Sequence, residues 1–385
     1  LQLILQALGC ATHYSDPIAV LNLEPVIAEL REKISNPDYI RDLTRQLLLD
    51  NPHRVTLVMT PDTELSARRK QAEAERLATI KSGMDERERS EVLQLARDLL
   101  ARQQQVDDES ILPKVELADV PASIPELTFD TSDRQGVNIT TYGRGTNGLV
   151  YQQVVSTLPR LADEQVSLLP LYTNMLTELG LGDSSYLEVQ HRQSAEVGAI
   201  NAFSSMRGAV DDEQAVTANF VLSSKALLRH ATQQSRLMHD TLYKARFDET
   251  DRLRDLVSQQ RARREQSITG NGHALAMTAA SAGMSPLAEL NHKLSGLAGI
   301  RALRALDESL DDKDKLQRFA DDLAALHHSV VAMPVQLLAV AESDKVKGVA
   351  DAAADIWLPE TSHDDTDSFT LPARREKRGE LWLTN

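Results

Sequence analysis

The sequence predicts an α+β fold: a two-layer helix-and-sheet domain, preceded by a helical hairpin and by the tail of another α+β domain. Two observations carry this reading. Elements follow one another as hairpin, helices, hairpin, helices and strand, an order that gives an antiparallel-leaning sheet with helices on one face. Aromatics are scarce at 4% and the hydrophobic fraction is 42%, so apolar content comes mainly from Ala, Leu and Val, which favour helix-rich packing.

Residues 1–50 read as helices, with Asp16-Pro17 and Asn36-Pro37 as start signals and Tyr39, Leu43, Leu47 and Leu48 as an apolar stripe. Asp50-Asn51-Pro52 is a break. His53 to Thr60 then alternates Val55, Leu57 and Met59 with Thr56, Val58 and Thr60, which predicts a strand covered on both faces. One strand is too little sheet for a two-layer domain, so residues 1–60 are expected to be the end of a domain that starts upstream. Over 61–107 charge density rises and Leu65, Leu77, Ile80, Val92, Leu95 and Leu99 recur at helical spacing. Ser82-Gly83 interrupts the run, and Asp85 with Glu88 forms a capping-box-like restart, so a helical hairpin with a solvated charged face is expected. Residues 108–126, with Pro113, Pro121 and Pro125, read as an extended linker.

Residues 127–358 form the predicted main domain. Strands at 136–142 and 149–156 enclose a glycine-rich turn. A helix capped by Asp163 stops at Gly180, and a second spans Ser184 to Val197. Strands follow at 199–206 and 215–222. Residues 231–330 are nearly all helical, with breaks at Thr269-Gly270-Asn271 and Gly283 to Pro286, then a strand at 335–340 and a helix at 346–357. Residues 359–385 read as a charged, Pro-interrupted linker ending in a strand at Glu380 to Thr384.

The 385-residue length fits two to three domains of about 150 residues. A net charge of −15 argues against nucleic-acid binding, since a phosphate backbone needs a basic face. No segment reaches the ~20 apolar residues of a membrane span. Cys10 is the single cysteine; it excludes an internal disulfide, is expected to be a buried inert thiol, and points to a reducing, cytoplasmic location.

No catalytic, cofactor-binding or metal residue is assigned within the chain. Its His (positions 13, 53, 191, 230, 239, 273, 292, 327, 328 and 363) contain no H-x-x-E-H or H-E-x-x-H, the spacing that places two imidazoles and an activating Glu on one helix face. Gly143-Arg144-Gly145-Thr146-Asn147-Gly148 spells G-x-G-x-x-G, but Leu149-Val150-Tyr151 continues as strand, so a hairpin turn is expected instead of a dinucleotide site. Adjacent His327 and His328 point about 100° apart on a helix, which assigns them to a surface or helix end. His230 and His239, near Asp240, have no recognisable ligand spacing. Arg261, Arg263 and Arg264 are expected to lie on a solvated helix face. Asn138-Ile139-Thr140 matches a glycosylation sequon, but on a predicted strand of a low-cysteine chain it is expected to be a chance match.

Several stretches carry a resemblance: Leu47-Leu48-Leu49-Asp50-Asn51-Pro52-His53-Arg54-Val55 running into Met59-Thr60-Pro61-Asp62; Thr146-Asn147-Gly148-Leu149-Val150-Tyr151; Leu176-Thr177-Glu178-Leu179-Gly180; and Ser295-Gly296-Leu297-Ala298-Gly299-Ile300-Arg301. Together they resemble the presequence-protease and falcilysin-like branch of the pitrilysin–insulinase zinc metallopeptidase family, in order along essentially the whole chain. The resemblance implies a clamshell of four α+β domains in two halves, closing on peptides. Residues 1–60 would end the second domain, 61–107 would be the hinge, 127–358 the third, non-catalytic domain of pitrilysin-peptidase type, and 359–385 the link to the fourth. Zinc would belong to the full-length parent and not to this chain, which lacks the zinc-site motif and is expected to be inactive alone. At the position paralleling the zinc helix stands Leu171-Tyr172-Thr173-Asn174-Met175-Leu176. Expected partners are peptide substrates and the remaining domains of the same polypeptide, with no nucleic acid and no membrane. A catalytically inactive homologue acting as a structural or partner-binding subunit is the alternative, and the residues preceding Leu1 discriminate the two.

Overall fold

The computed structural model describes residues 2–357 and 367–372. Backbone contacts divide the chain into two units, Leu1–Val120 and Pro121–Asn385.

The first unit contains α1 (Gln2–Thr12), α2 (Glu24–Lys33), α3 (Tyr39–Thr44) running into a π-helical turn at Arg45–Leu49, α4 (Leu65–Gly83) and α5 (Glu86–Gln104). None of its described residues is buried. Cys10 is accordingly half-exposed, not buried, because α1 buries no residue at all. The strand expected over His53–Thr60 is not formed: the segment is irregular, with Val55, Leu57 and Met59 at 86%, 79% and 86% exposure. Alternation supplies propensity, but a strand needs a neighbour to pair with. The capping box is present, Asp85 accepting from the Glu88 amide at 2.8 Å while Glu88 accepts from the Asp85 amide at 3.0 Å. Asp85→Ala is expected to cost about 1 kcal/mol of local helix stability, read as lost ellipticity in a peptide spanning 84–105; unchanged helicity would contradict it.

The second unit is built on a six-stranded sheet: β1 (Asp130–Arg134), β2 (Val137–Gly143), β3 (Leu149–Thr157), β4 (Ala199–Gly208), β5 (Val216–Leu227) and β6 (Val335–Ala341), in spatial order β1-β2-β6-β3-β5-β4. All pairings are antiparallel except β2 with β6. Thus β2 and β3 are not a hairpin, because β6 arrives from some 190 residues later and inserts between them. Strand β1 was not anticipated: Asp-Thr-Ser-Asp-Arg has no apolar face, which suits an exposed edge.

One sheet face is buried through Val137, Ile139, Val154, Phe220, Leu222 and Leu337, while alternate residues such as Tyr151 and Phe203 remain partly exposed. Helices cover the buried face. The helices of this unit are α6 (Asp163–Leu176), α7 (Tyr186–Glu196), α8 (Ala231–Tyr243), α9 (Thr250–Gln266), α10 (Gly272–Ser281), α11 (Pro286–Ser295), α12 (Leu297–Ser309), α13 (Lys313–Val331) and α14 (Val346–Ile356), and all but α10 contribute to that core or pack against it. Asp163 is not the cap of α6 but its first residue; Ala162 takes the N-cap position and Gln165 reaches back to its amide at 3.1 Å. Ser185 caps α7 in a capping box with Glu188. The segment 367–372 was expected to be linker, yet Phe369 is buried in the core and its amide donates to the Leu158 carbonyl at 2.9 Å. The strand expected at Glu380 to Thr384 lies outside the described residues.

Candidate functional site

The glycine-rich stretch 143–148 does not open a helix, but neither is it a simple hairpin turn. Asn147 and Gly148 both take positive φ (51° and 77°), which turns the chain sharply into β3. The Thr146 amide donates to Glu342 Oε1 at 2.9 Å and the Gly148 amide to the same oxygen at 3.4 Å. An acidic side chain from the end of β6 therefore fills the position an anion would take in a phosphate-binding loop. At Gly143 a Cβ would crowd the backbone of Ser343 at 3.0 Å. Glu342→Ala would leave these amides unpaired and is expected to cost about 1–3 kcal/mol, checked by urea unfolding; a variant as stable as the parent would show the carboxylate to be dispensable.

Helix α6 places the segment 171–176. Its Tyr172 is fully buried, with the Phe220, Phe247 and His327 rings at centroid distances of 6.1, 6.5 and 5.9 Å. Tyr172 Oη lies 3.0 Å from His327 Nδ1. Burial raises the Tyr172 pKa, so the phenol keeps its proton, and which of the two groups donates is set by the imidazole tautomer. Burial, and secondarily the neighbouring His328, lowers His327 to about 4, so the ring is neutral at physiological pH. His327 is therefore a core residue, contrary to the surface or helix-end expectation. It falls on the stripe Leu316, Phe319, Ala320, Leu323, Leu326 that α13 turns inward, whereas His328 is exposed.

The remaining candidates are not brought together. His239 packs against Tyr243 and Trp357 at 4.8 and 5.2 Å between ring centroids. Burial alone would raise the pKa of Asp240, but Lys244 and Arg192, both at 2.9 Å, outweigh it and hold the carboxyl below the usual range. His230 Nε2 accepts from Arg229 at 3.0 Å. Arg261 does not lie on a solvated face; it ties α9 to α12 through Asp307 at 2.9 Å and Glu308 at 3.3 Å. Arg263 and Arg264 behave differently. Neither has an acidic partner among the described residues: Arg263 Nε donates to the Gln259 carbonyl at 3.3 Å, and Arg264 Nη1 to the Ser295 carbonyl at 3.4 Å.

These two arginines line a groove that sequence reasoning missed. Its polar section, about 240 Å³, lies between α6, β4 and α9 and is bordered by Thr173, Asn174, Asn201, Gln259, Gln260 and Arg263. An apolar section of about 250 Å³ lies between α6, α9, α11 and α12, walled by Leu168, Leu171, Leu294, Leu303 and Leu306 with Arg264 and Lys293 beside them. Asn174 and Gln260 border both. The signal was present in the basic run on α9, but only the fold separates the paired Arg261 from its unpaired neighbours. Amides, hydroxyls and guanidinium groups without a paired nucleophile and base can bind a ligand; they do not constitute an acyl-transfer site.

A zinc ion does not fit these residues. Among the described residues no group of three or more His, Cys, Asp or Glu stands close enough to hold a metal. His327 Nδ1 is already engaged by Tyr172. The groove offers mainly amide and hydroxyl oxygens rather than the imidazole, thiolate or carboxylate donors zinc takes. No helix among the described residues is long and apolar enough to cross a membrane.

The chain is 28% identical over 303 residues to the mitochondrial presequence protease of Xenopus tropicalis, covering 78% of this chain and 29% of that protein. It is 26% identical over 300 residues to the mitochondrial presequence protease of Danio rerio, with the same coverage of 78% and 29%. Presequence protease 1, chloroplastic/mitochondrial, of Arabidopsis thaliana is 26% identical over 321 residues, 81% of this chain and 29% of its own length. The chain thus spans less than a third of the length of these relatives. Their organellar names overturn the cytoplasmic expectation; a single cysteine reports redox conditions, which do not separate the cytosol from the interior of an organelle. The model of the family described as Peptidase M-16C associated matches residues 59–306, more than half of the sequence, and the chain belongs to that family.

Proposed function

We propose that this chain is the non-catalytic middle portion of a zinc metalloendopeptidase that degrades unstructured peptides inside a closing chamber. On this reading residues 1–60 end a second domain, 61–107 form the hinge hairpin, and 108–126 are linker. Residues 127–358 form the third domain, a wall of the chamber, and 359–385 lead toward a fourth. The carrying observation is the alignment of 78% of this chain with 29% of proteins named presequence proteases. Two features of the structure support it. The first unit leaves apolar residues such as Leu5, Leu8 and Val55 at 56%, 56% and 86% exposure, as a segment would whose packing partners lie elsewhere in a longer chain. The second unit carries a groove lined by leucines, amides and two arginines without an acidic partner among the described residues, a lining suited to contact with a peptide chain.

The test is to join the flanking domains to this chain and assay cleavage of a labelled unstructured peptide. Cleavage by the longer protein, blocked by a chelator and accompanied by an upstream H-x-x-E-H, is the expected outcome. A longer protein that lacks the motif and cuts nothing would instead favour a structural or partner-binding subunit.

A further inference from the structure

We propose that the apolar section of the groove binds the free C-terminal end of a peptide whose last side chain is aliphatic. Three properties converge on that ligand. The walls are leucines from α6, α11 and α12, and about 250 Å³ is below the ~300–1,000 Å³ of sites that swallow a whole drug-sized molecule. The space therefore suits a terminal residue and not an entire cofactor. Arg264 supplies the charge. The only hydrogen bond of its guanidinium among the described residues is the 3.4 Å contact to the Ser295 carbonyl, so most of the planar fork remains for a carboxylate, which it matches two-pronged. Lys293, beside it, is shared with Glu289 at 3.7 Å and contributes less. On a chain of net charge −15, an arginine without an acidic partner is a locally unmet charge.

The polar section decides what the rest of the ligand is. Beyond Asn174 and Gln260 the lining gains the hydroxyls and amides of Thr173, Thr177, Asn201 and Gln259 beside the apolar Met175, Ile200 and Leu256. The side chains of Gln259 and Gln260 make no hydrogen bond among the described residues. Side-chain amides carry both donor and acceptor, the complement of a peptide backbone. A fatty acid is the competing carboxylate ligand, and its chain would leave these amides unmatched. The choice of a peptide rests on the peptide-handling reading above; the pocket and its charge do not.

The experiment titrates the full 385-residue chain with acetyl-Ala-Ala-Leu as the free acid, with its C-terminal amide, and with octanoate. Calorimetry or NMR shifts provide the readout. Binding of the free acid is expected, weakened by about tenfold or more on amidation and in Arg264→Gln, the loss of one charge-assisted pair. Ala302→Trp, at an exposed wall position, fills the groove and is expected to abolish binding while circular dichroism stays unchanged. Equal binding of acid and amide, unaltered binding in Arg264→Gln, no binding of the acid, or tighter binding of octanoate than of the peptide would each overturn the proposal. Cleavage is not part of the readout, so failure of the peptidase reading and failure of this site are distinguishable.

Discussion

Tyr172→Ala is expected to destabilise the second unit by about 3–5 kcal/mol, the range for removing a fully buried aromatic side chain. The ring is 0% exposed and sits among Phe220, Phe247 and His327, where no solvent can fill the space it vacates. Tyr172→Phe separates packing from hydrogen bonding. It keeps the ring but removes one partner of the bond to His327 Nδ1, leaving a buried polar atom unpaired at a cost of about 1–3 kcal/mol. Urea unfolding followed by tryptophan fluorescence reads both, since Trp357 is buried in the same unit. A Tyr172→Phe variant as stable as the parent would mean that the 3.0 Å contact contributes nothing.

Acidification is expected to remove about 3 kcal/mol of stability through His327 alone. The sign follows from the direction of its shift. Its folded pKa is lowered from 6.5 to about 4, so the unfolded chain binds the proton first. The neutral ring's stability is fully present above pH 6.5 and is lost as pH falls toward 4, at about 1.36 kcal/mol per pH unit. The carboxylates held low by ion pairs, Asp240 and Asp307, lose their contribution only below the ordinary aspartate range, near pH 4. The window between 4 and 6.5 therefore belongs to His327. His327→Leu is expected to flatten the pH dependence of unfolding in that window. An unchanged slope would show that His327 is not the titrating group.

What the sequence revealed and concealed follows from the range over which each element is determined. Capping boxes are local, so Asp85–Glu88 could be read directly from spacing, as could the helix breaks at Gly270 and Gly283. Strand order is not local. Nothing in 137–157 announces that Val335–Ala341 will separate β2 from β3, because β6 pairs with both of them from far along the chain. Strand β1 escaped notice because an edge strand needs no apolar face. The alternation at 53–60 misled for the opposite reason, offering a pattern without a neighbour. His327 was legible: Leu323, Leu326 and Val330 define the inward stripe of α13, and residue 327 lies on it. The groove was not, since Arg264, Lys293 and Leu168 come from three helices whose approach only tertiary packing fixes.

The most direct test of the central claim is zinc content and peptidase activity of the purified chain itself. Metal analysis after exhaustive dialysis, paired with a fluorogenic assay on an unstructured peptide, is expected to find no stoichiometric zinc and no cleavage. One tightly bound equivalent of zinc, with cleavage abolished by a chelator, would contradict the assignment of this chain as the non-catalytic portion.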